Sequence, residues 1–317
     1  MDTFSDIIIR RREQVLIGTA ESSLRRGLRR GSLVRITAGV YADSSAWQGL
    51  EPIEQHRERV LATAARLTTT PVFSHFAAAA LWGIRLLGRW PELVDVTLER
   101  ATGGRSDGRL RRHCTEFDAT EIRTIDGLLV TSPAQTVVDL ARVLPFMDAV
   151  VAMDSALHRR RMPTRLATRE DIVRIVGNAE GRSGYRMAGA AAAFATHLSD
   201  SPKESQSRVL IHLLGFPEPE LQHEFMLANG RKAETDFYWP DFAHIGECDG
   251  RAKYTDPSLL RGRTPAQVLF EEKERENELR RMVRAFSRWE PRELDSPQRF
   301  YDRLVRDGLP SSKQRPR

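Results

Sequence analysis

Two short strands and a tight turn are predicted within the stretch Thr235-Asp-Phe-Tyr-Trp-Pro-Asp-Phe-Ala-His-Ile-Gly-Glu-Cys-Asp-Gly-Arg-Ala-Lys-Tyr254. Apolar and aromatic runs flank Trp239-Pro-Asp241, a combination typical of a turn between strands. Because side chains alternate between the faces of a strand, Glu247 and Asp249 are expected to point the same way. If the two strands pair as a hairpin, Asp236 lies close to Glu247. Three carboxylates then converge on one patch of sheet, where a metal ion or a basic partner is needed to offset their repulsion.

The surrounding sequence predicts a complete domain over residues 200–308, a mixed sheet flanked by helices. The hairpin signal Asn229-Gly230 adds a strand before the opening pair. Caps and apolar periodicity predict the helices on either side. The expected elements are a helix over 202–214, strands over 220–227, 233–239 and 243–249, a long helix over 264–284, a strand over 286–289 and a helix over 297–306.

Acidic side chains fall on the leading helix and on the central strands of this domain. Oxygen ligands of this kind suit Mg²⁺ or Mn²⁺, which proteins hold with a few carboxylates, waters and substrate phosphate. Such an ion lowers the pKa of bound water and offsets charge on a phosphodiester, and Lys253 would add a further cation. The alternative is an ion-paired acid cluster without metal. The acids are Glu204, Asp236, Glu247 and Asp249, and the arginines considered as their partners are Arg208, Arg231 and Arg251.

The acids and their order resemble the PD-(D/E)XK restriction-endonuclease-like superfamily, with a closer likeness to very-short-patch-repair endonucleases over about residues 200–290. The resemblance implies metal-dependent cleavage of phosphodiester bonds. By position, Asp236 matches the first acid of the motif, Glu247 the second and Glu204 the acid on the leading helix. Together with Asp249, as a further ligand or a water-orienting base, and Lys253, they are the predicted catalytic residues, and Asp236, Glu247 and Asp249 are the predicted metal ligands. The usual lysine two residues after the second acid is replaced by Asp249, so Lys253 or Arg251 becomes the candidate for its role.

The first 48 residues predict a winged helix-turn-helix. A first helix is expected over Phe4–Leu16, and a second one begins near Ser22 and stops at Gly31. A hairpin follows over Leu33–Tyr41 with its turn at 37–39. In this layout the second helix enters the major groove of DNA and the hairpin contacts the backbone.

Arginines cluster on the second helix of this unit. Arg25, Arg26, Arg29 and Arg30 sit at i, i+1, i+4 and i+5, which places them on one broad helix face, and Arg35 lies on the hairpin. Clustered cations neutralise DNA phosphates, so these five residues are the predicted nucleic-acid contacts. The alternative is a solvated cationic face without a partner.

Residues 1 to about 200 resemble the AbiEi-type antitoxins of type IV toxin–antitoxin systems. Three segments carry the resemblance: Leu28–Tyr41 ending in Ala-Gly-Val-Tyr, Ser74-His-Phe-Ala-Ala-Ala-Ala-Leu-Trp-Gly83, and Thr131-Ser-Pro-Ala-Gln-Thr-Val-Val-Asp-Leu-Ala141. It implies a DNA-binding, often autorepressing regulator with a cognate toxin as partner. The middle region, 49–199, is then a mostly helical α+β segment whose dispersed histidines are interpreted as structural.

Composition sets wider limits on these expectations. The 317 residues carry a net charge of +6 and only two cysteines, with no signal-like start and no apolar run of about 18 residues. We therefore expect a multidomain α+β or α/β protein of the cytoplasm with no membrane partner and a disordered basic tail at 309–317. The leading hypothesis is a protein that binds double-stranded DNA and has a nuclease-like domain. The alternatives are a non-catalytic regulator or antitoxin and a structural adaptor.

Overall fold

The structure is a computed structural model that describes residues 8–10, 21–98, 108–114, 118–158, 166–249 and 264–317. It is an α+β protein, as the sequence predicts, and the strands among these residues form three separate sheets. The described residues fall into two compact units. The N-terminal unit holds those up to Leu157 together with 166–194, and the C-terminal unit holds His158 with 195–317. The predicted site residue Lys253 and its alternative Arg251 lie outside the described residues.

The first sheet of the N-terminal unit has three antiparallel strands in the order β1-β3-β2. Its elements are β1 (Ile8–Arg10), α1 (Glu21–Arg30), β2 (Leu33–Thr37) and β3 (Val40–Asp43), followed by α2 (Ser44–Gly49) and α3 (Pro52–Ala64). The predicted helix over Phe4–Leu16 is wrong at Ile8–Arg10, which pair with β3 instead. Ile8 and Ile9 are β-branched and favour an extended backbone when a partner strand is present.

The second sheet has five strands in the order β6-β5-β4-β8-β7 and is covered by helices. Its core joins Val60 of α3 to Phe73, Val96 and Val130 of the strands. The elements are β4 (Val72–Phe73), α4 (His75–Trp82), β5 (Val94–Leu98), β6 (Leu110–Cys114), β7 (Ile122–Ile125), β8 (Leu128–Thr131), α5 (Pro133–Ala141), α6 (Phe146–Leu157), α7 (Arg169–Asn178) and α8 (Tyr185–Phe194).

The C-terminal unit holds a four-stranded sheet in the order β12-β11-β10-β9. Its strands β9, β10 and β11 are antiparallel, and β12 lies parallel to β11. The elements are α9 (Pro202–Leu213), β9 (Glu220–Met226), β10 (Lys232–Trp239), β11 (His244–Cys248), α10 (Pro265–Met282), β12 (Ala285–Trp289) and α11 (Pro297–Arg306). Their order agrees with the sequence prediction.

The inner strand β11 is buried along its whole length because helices cover both faces of this sheet. Ile245 packs with Leu279 of α10 on one face. Gly246, the next residue, faces the indole rings of Trp239 and Trp289 on the other face. On that side Trp289 Nε1 donates to Ser207 Oγ of α9 at 2.9 Å.

Residues 309–317 make defined contacts, where the composition predicts disorder. Leu309 is buried, and the hydroxyls of Ser311 and Ser312 donate to the carbonyls of Leu214 and Gly215 at the end of α9. These carbonyls have no helical donors, so the serines supply the hydrogen bonds that a helix end lacks. Among the helices that the structure describes, none is long and apolar enough to cross a membrane.

Candidate functional site

Strand register places the predicted acids of the C-terminal sheet. Phe237 pairs with Gly246, so the preceding residue, Asp236, stands opposite Glu247 across β10 and β11. On the other side of β11, Glu247 pairs with Arg288 of the parallel strand β12. Glu247 therefore has an acid on one neighbouring strand and a guanidinium group on the other.

Two arginines hold the carboxylate of Glu247. Arg275 Nη2 donates to Oε1 and Arg288 Nη2 donates to Oε2, each at 2.7 Å. The side chain of Glu247 is only 8% exposed, so both pairs form largely out of water. Charge-assisted hydrogen bonds of this length are among the strong ones in proteins.

Further acids on α10 surround the same two arginines. Glu272 accepts from Nε and Nη2 of Arg275 at 3.0 and 2.8 Å. Glu276 Oε2 lies 3.0 Å from Arg288 Nη1. Burial opposes the charge of both arginines, but the neighbouring carboxylates outweigh it, so the pKa of each guanidinium group is raised above its ordinary value. Both arginines therefore keep their charge.

The other two acids of this hairpin, Asp249 and Asp236, make different contacts. Asp249 Oδ2 is 3.8 Å from Arg288 Nη1, so Asp249 and Glu247 approach the same guanidinium group from one strand. Asp236 Oδ2 accepts a hydrogen bond from the backbone N–H of Cys248 at 2.9 Å. Burial raises the pKa of the Cys248 thiol to about 12, and nearby Asp236 and Glu204 act in the same direction.

Glu204 caps the start of α9. Its Oε2 accepts from the backbone N–H of Asp200 at 2.8 Å and from Nε2 of Gln222 at 3.3 Å. α9 packs on the Trp289 face of the sheet, whereas Glu247 is held by α10 on the opposite face. Glu204 and Glu247 are therefore attached to elements on opposite faces.

These contacts decide how well the residues suit a divalent ion. Within the described ranges, no group of three or more His, Cys, Asp or Glu side chains could hold a metal. Both oxygens of Glu247 are engaged by guanidinium groups, so the described residues do not fit Mg²⁺ or Mn²⁺ in this arrangement. The predicted metal site stays a prediction.

The predicted nucleic-acid contacts lie on the helix α1 and the hairpin β2–β3. Leu24 is buried, whereas the arginines of α1 are exposed. Gly27 faces Leu33 of β2 so closely that an added Cβ would stand 2.7 Å from its Cδ1, which lets the helix rest on the strand. The exposed arginines are Arg25, Arg26, Arg29, Arg30 and, on the hairpin, Arg35.

A polar cluster that the sequence did not predict lies in the second sheet. His113 Nε2 is 2.7 Å from Asp95 Oδ1, and the His113 ring stacks on His75 at 3.7 Å between centroids. Arg111 Nε lies 3.2 Å from the same oxygen of Asp95. The sequence signals for this cluster are Asp95 within the apolar run Val94–Leu98 and the basic residues at 109–113, whose strand β6 pairs with β5.

Comparisons with known proteins give relatives of undescribed function. No family model matches the sequence. The chain is 31% identical over 144 residues to "Uncharacterized protein MT2308" and "Uncharacterized protein Rv2248", from two strains of Mycobacterium tuberculosis. The match covers 45% of this chain and 51% of each relative, so the chain spans about half the length of the curated relatives it matches.

One solved structure shares a low overall similarity. The crystal structure of the RV2827C protein from Mycobacterium tuberculosis aligns with a TM-score of 0.35 and 17% sequence identity. The alignment covers 63% of this chain and 75% of that one.

Proposed function

We propose that this chain is a regulator that binds double-stranded DNA through α1 and the β2–β3 hairpin. The observation that carries the proposal is the exposed arginine face of α1, next to a hairpin whose strands lie in the sheet order β1-β3-β2. A helix followed by a two-stranded wing is the layout with which winged helix-turn-helix proteins approach the major groove.

Packing gives this arginine face a rigid base. The hairpin rests on a core of Ile36, Val40, Trp47 and Ala62, which ties it to α3. The side chain of Arg66 donates to the carbonyl of Ala38 in the hairpin turn. A positively charged surface on fixed elements loses little conformational entropy when it meets the phosphate backbone.

The replacement of all four arginines of α1 by glutamine tests this proposal. We expect the affinity for a duplex from the region upstream of the gene to fall about 100-fold at 150 mM salt. The slope of log K against log salt should decrease by about 3 to 4, because each phosphate contact contributes roughly 0.9. Fluorescence anisotropy between 50 and 200 mM salt measures both values.

The matched control replaces four exposed arginines of the C-terminal unit, which are Arg281, Arg284, Arg292 and Arg299. It removes the same charge and should leave affinity and salt slope near the unmodified values. Equal losses in both variants would mean that net charge alone attracts DNA and that α1 has no special part in binding. An antitoxin role additionally requires a cognate toxin, which would copurify with the chain when the two are expressed together.

The second candidate is a Mg²⁺- or Mn²⁺-dependent endonuclease, favoured by the register that sets Asp236 opposite Glu247. It requires the guanidinium groups of Arg275 and Arg288 to release Glu247. Incubation with duplex DNA or RNA and Mn²⁺ should then give cleavage that Asp236→Ala abolishes. Absence of cleavage, with DNA binding retained, leaves the regulator as the function.

A further inference from the structure

We propose that the guanidinium groups of Arg275 and Arg288 take the charge-balancing place of a divalent ion at Glu247. Among the described residues of the C-terminal unit, Glu247 then needs no metal, and the cluster of acids and arginines around it acts as a fixed structural centre. This inference does not depend on DNA binding by α1.

The first support is the complete use of the Glu247 carboxylate. One oxygen accepts from Arg275 and the other from Arg288, both at 2.7 Å. The two positive groups approach from different elements, α10 and β12, so together they bracket the carboxylate. An ion at this position would need the same oxygens.

The second support is that each arginine also binds acceptors other than Glu247. Glu272 binds Arg275 through two nitrogens, and the backbone carbonyl of Glu234 accepts from Nη1 at 3.1 Å. Arg288 is held by Glu276 and lies 3.2 Å from Glu272. A guanidinium group that leaves Glu247 would have to break these pairs as well, in a partly buried setting where charges are costly to separate.

The third support is geometric specificity. The planar guanidinium group presents several N–H donors in fixed directions and matches carboxylates edge to edge. A small hydrated ion instead needs several oxygens around one point. Arg275 meets Glu272 edge to edge through Nε and Nη2, and Arg275 and Arg288 each direct one N–H to a different oxygen of Glu247.

Metal titration of the full-length protein tests the proposal, with Mn²⁺ as the probe. The unmodified protein should give no Mn²⁺-dependent change in melting temperature beyond that of Glu247→Gln. The double variant Arg275→Met, Arg288→Met exposes the carboxylates, and Mn²⁺ should raise its melting temperature by at least about 5 °C. Adding Glu247→Gln to the double variant should abolish that rise.

The matched control is Arg281→Met with Arg284→Met. It removes two exposed arginines, one in the last turn of α10 and one just after this helix, and should gain no response to Mn²⁺. A folded double variant that ignores Mn²⁺ would overturn the proposal. Binding of one Mn²⁺ by the unmodified protein, lost on Glu247→Gln in calorimetry, would also overturn it. That second measurement remains decisive if the double variant does not fold.

Discussion

The buried acidic residues of this protein differ in their charged partners. Glu247 is buried with two guanidinium partners. Asp139 of α5 is also buried, but it accepts a hydrogen bond from Gln135 Nε2 at 2.9 Å and has Arg142 farther away at 3.8 Å. Burial raises the pKa of Asp139 to about 6, although these neighbours act in the opposite direction. Asp139 is therefore a carboxyl whose protonation is linked to folding.

The replacement Asp139→Asn tests that linkage. The pKa is higher in the folded state than in the unfolded chain, so the stabilising contribution is complete below about pH 4 and is lost as the pH rises through about 6. We expect the free energy of unfolding to lose about 3 kcal/mol from this group between pH 4 and 7. The variant should lack that loss.

Urea unfolding followed by circular dichroism across this pH range measures the difference between the two proteins. The buried His75 also changes stability with pH, in the opposite direction, because burial lowers its pKa. Its contribution is present in both proteins and cancels when their profiles are subtracted. Asp241→Asn at an exposed carboxylate is the control and should follow the unmodified profile. Parallel profiles for Asp139→Asn and the unmodified protein would contradict the linkage.

The sequence predicted the direction of the acids but not their partners. Strand alternation indicates that Glu247 and Asp249 point the same way, and both lie near Arg288. The arginines that hold Glu247 are 28 and 41 positions away in the chain, whereas the partners expected from the sequence are Arg208, Arg231 and Arg251. Such partners depend on how α10 docks and on the parallel pairing of β12, which local patterns do not specify.

Among the elements, the strand β11 is buried along its whole length. Gly246 lies between the rings of Trp239 and Trp289, where an added Cβ would stand 2.9 and 2.7 Å from ring carbons. Trp289 is fully buried and also contacts Phe237 and Phe300. A side chain at position 246 would therefore overlap the rings of two buried tryptophans, and only glycine fits without displacing them.

The replacement Gly246→Ala should therefore destabilise the C-terminal unit by about 1 to 3 kcal/mol, as overpacking of a core does. Urea unfolding with tryptophan fluorescence measures the loss. The matched control is Gly177→Ala in α7, where no atom lies within 4 Å of the added Cβ. Alanine should stabilise that helix by up to about 1 kcal/mol. An unchanged free energy of unfolding for Gly246→Ala would contradict this prediction, because it would mean that the two tryptophan rings accommodate a Cβ at this position.

Elements with local signals were predicted well. The β2–β3 hairpin follows from its apolar strands and Gly39, whose φ of 76° suits the turn. β1 was missed because its partner strand, β3, lies thirty positions away and its isoleucines fit a helix pattern equally well. The strands of the predicted hairpin pair with a neighbour that is close in sequence, whereas the missed strand β1 pairs with one that is distant in sequence.

For the molecule as a whole, the net charge of +6 gives no position for a nucleic-acid surface. The structure separates an exposed arginine face on α1 from arginines that are already paired with acids in the C-terminal sheet. The predicted domain limit at 199/200 lies close to the division at Ala195, where turn residues interrupt the chain. The limit at 48/49 falls inside one unit, because Ala62 of α3 completes the core under the hairpin.

The contact between Ser311 and the end of α9 also has a consequence for synthesis on the ribosome. Ser311 reaches back 97 positions to the carbonyl of Leu214. Because translation runs from the amino end, α9 emerges long before the residues that cap it, and β11 emerges before its neighbour β12. Domains generally fold as units in the order of their synthesis. The arginine-bearing surface of α1 is thus translated before the sheet that carries Glu247.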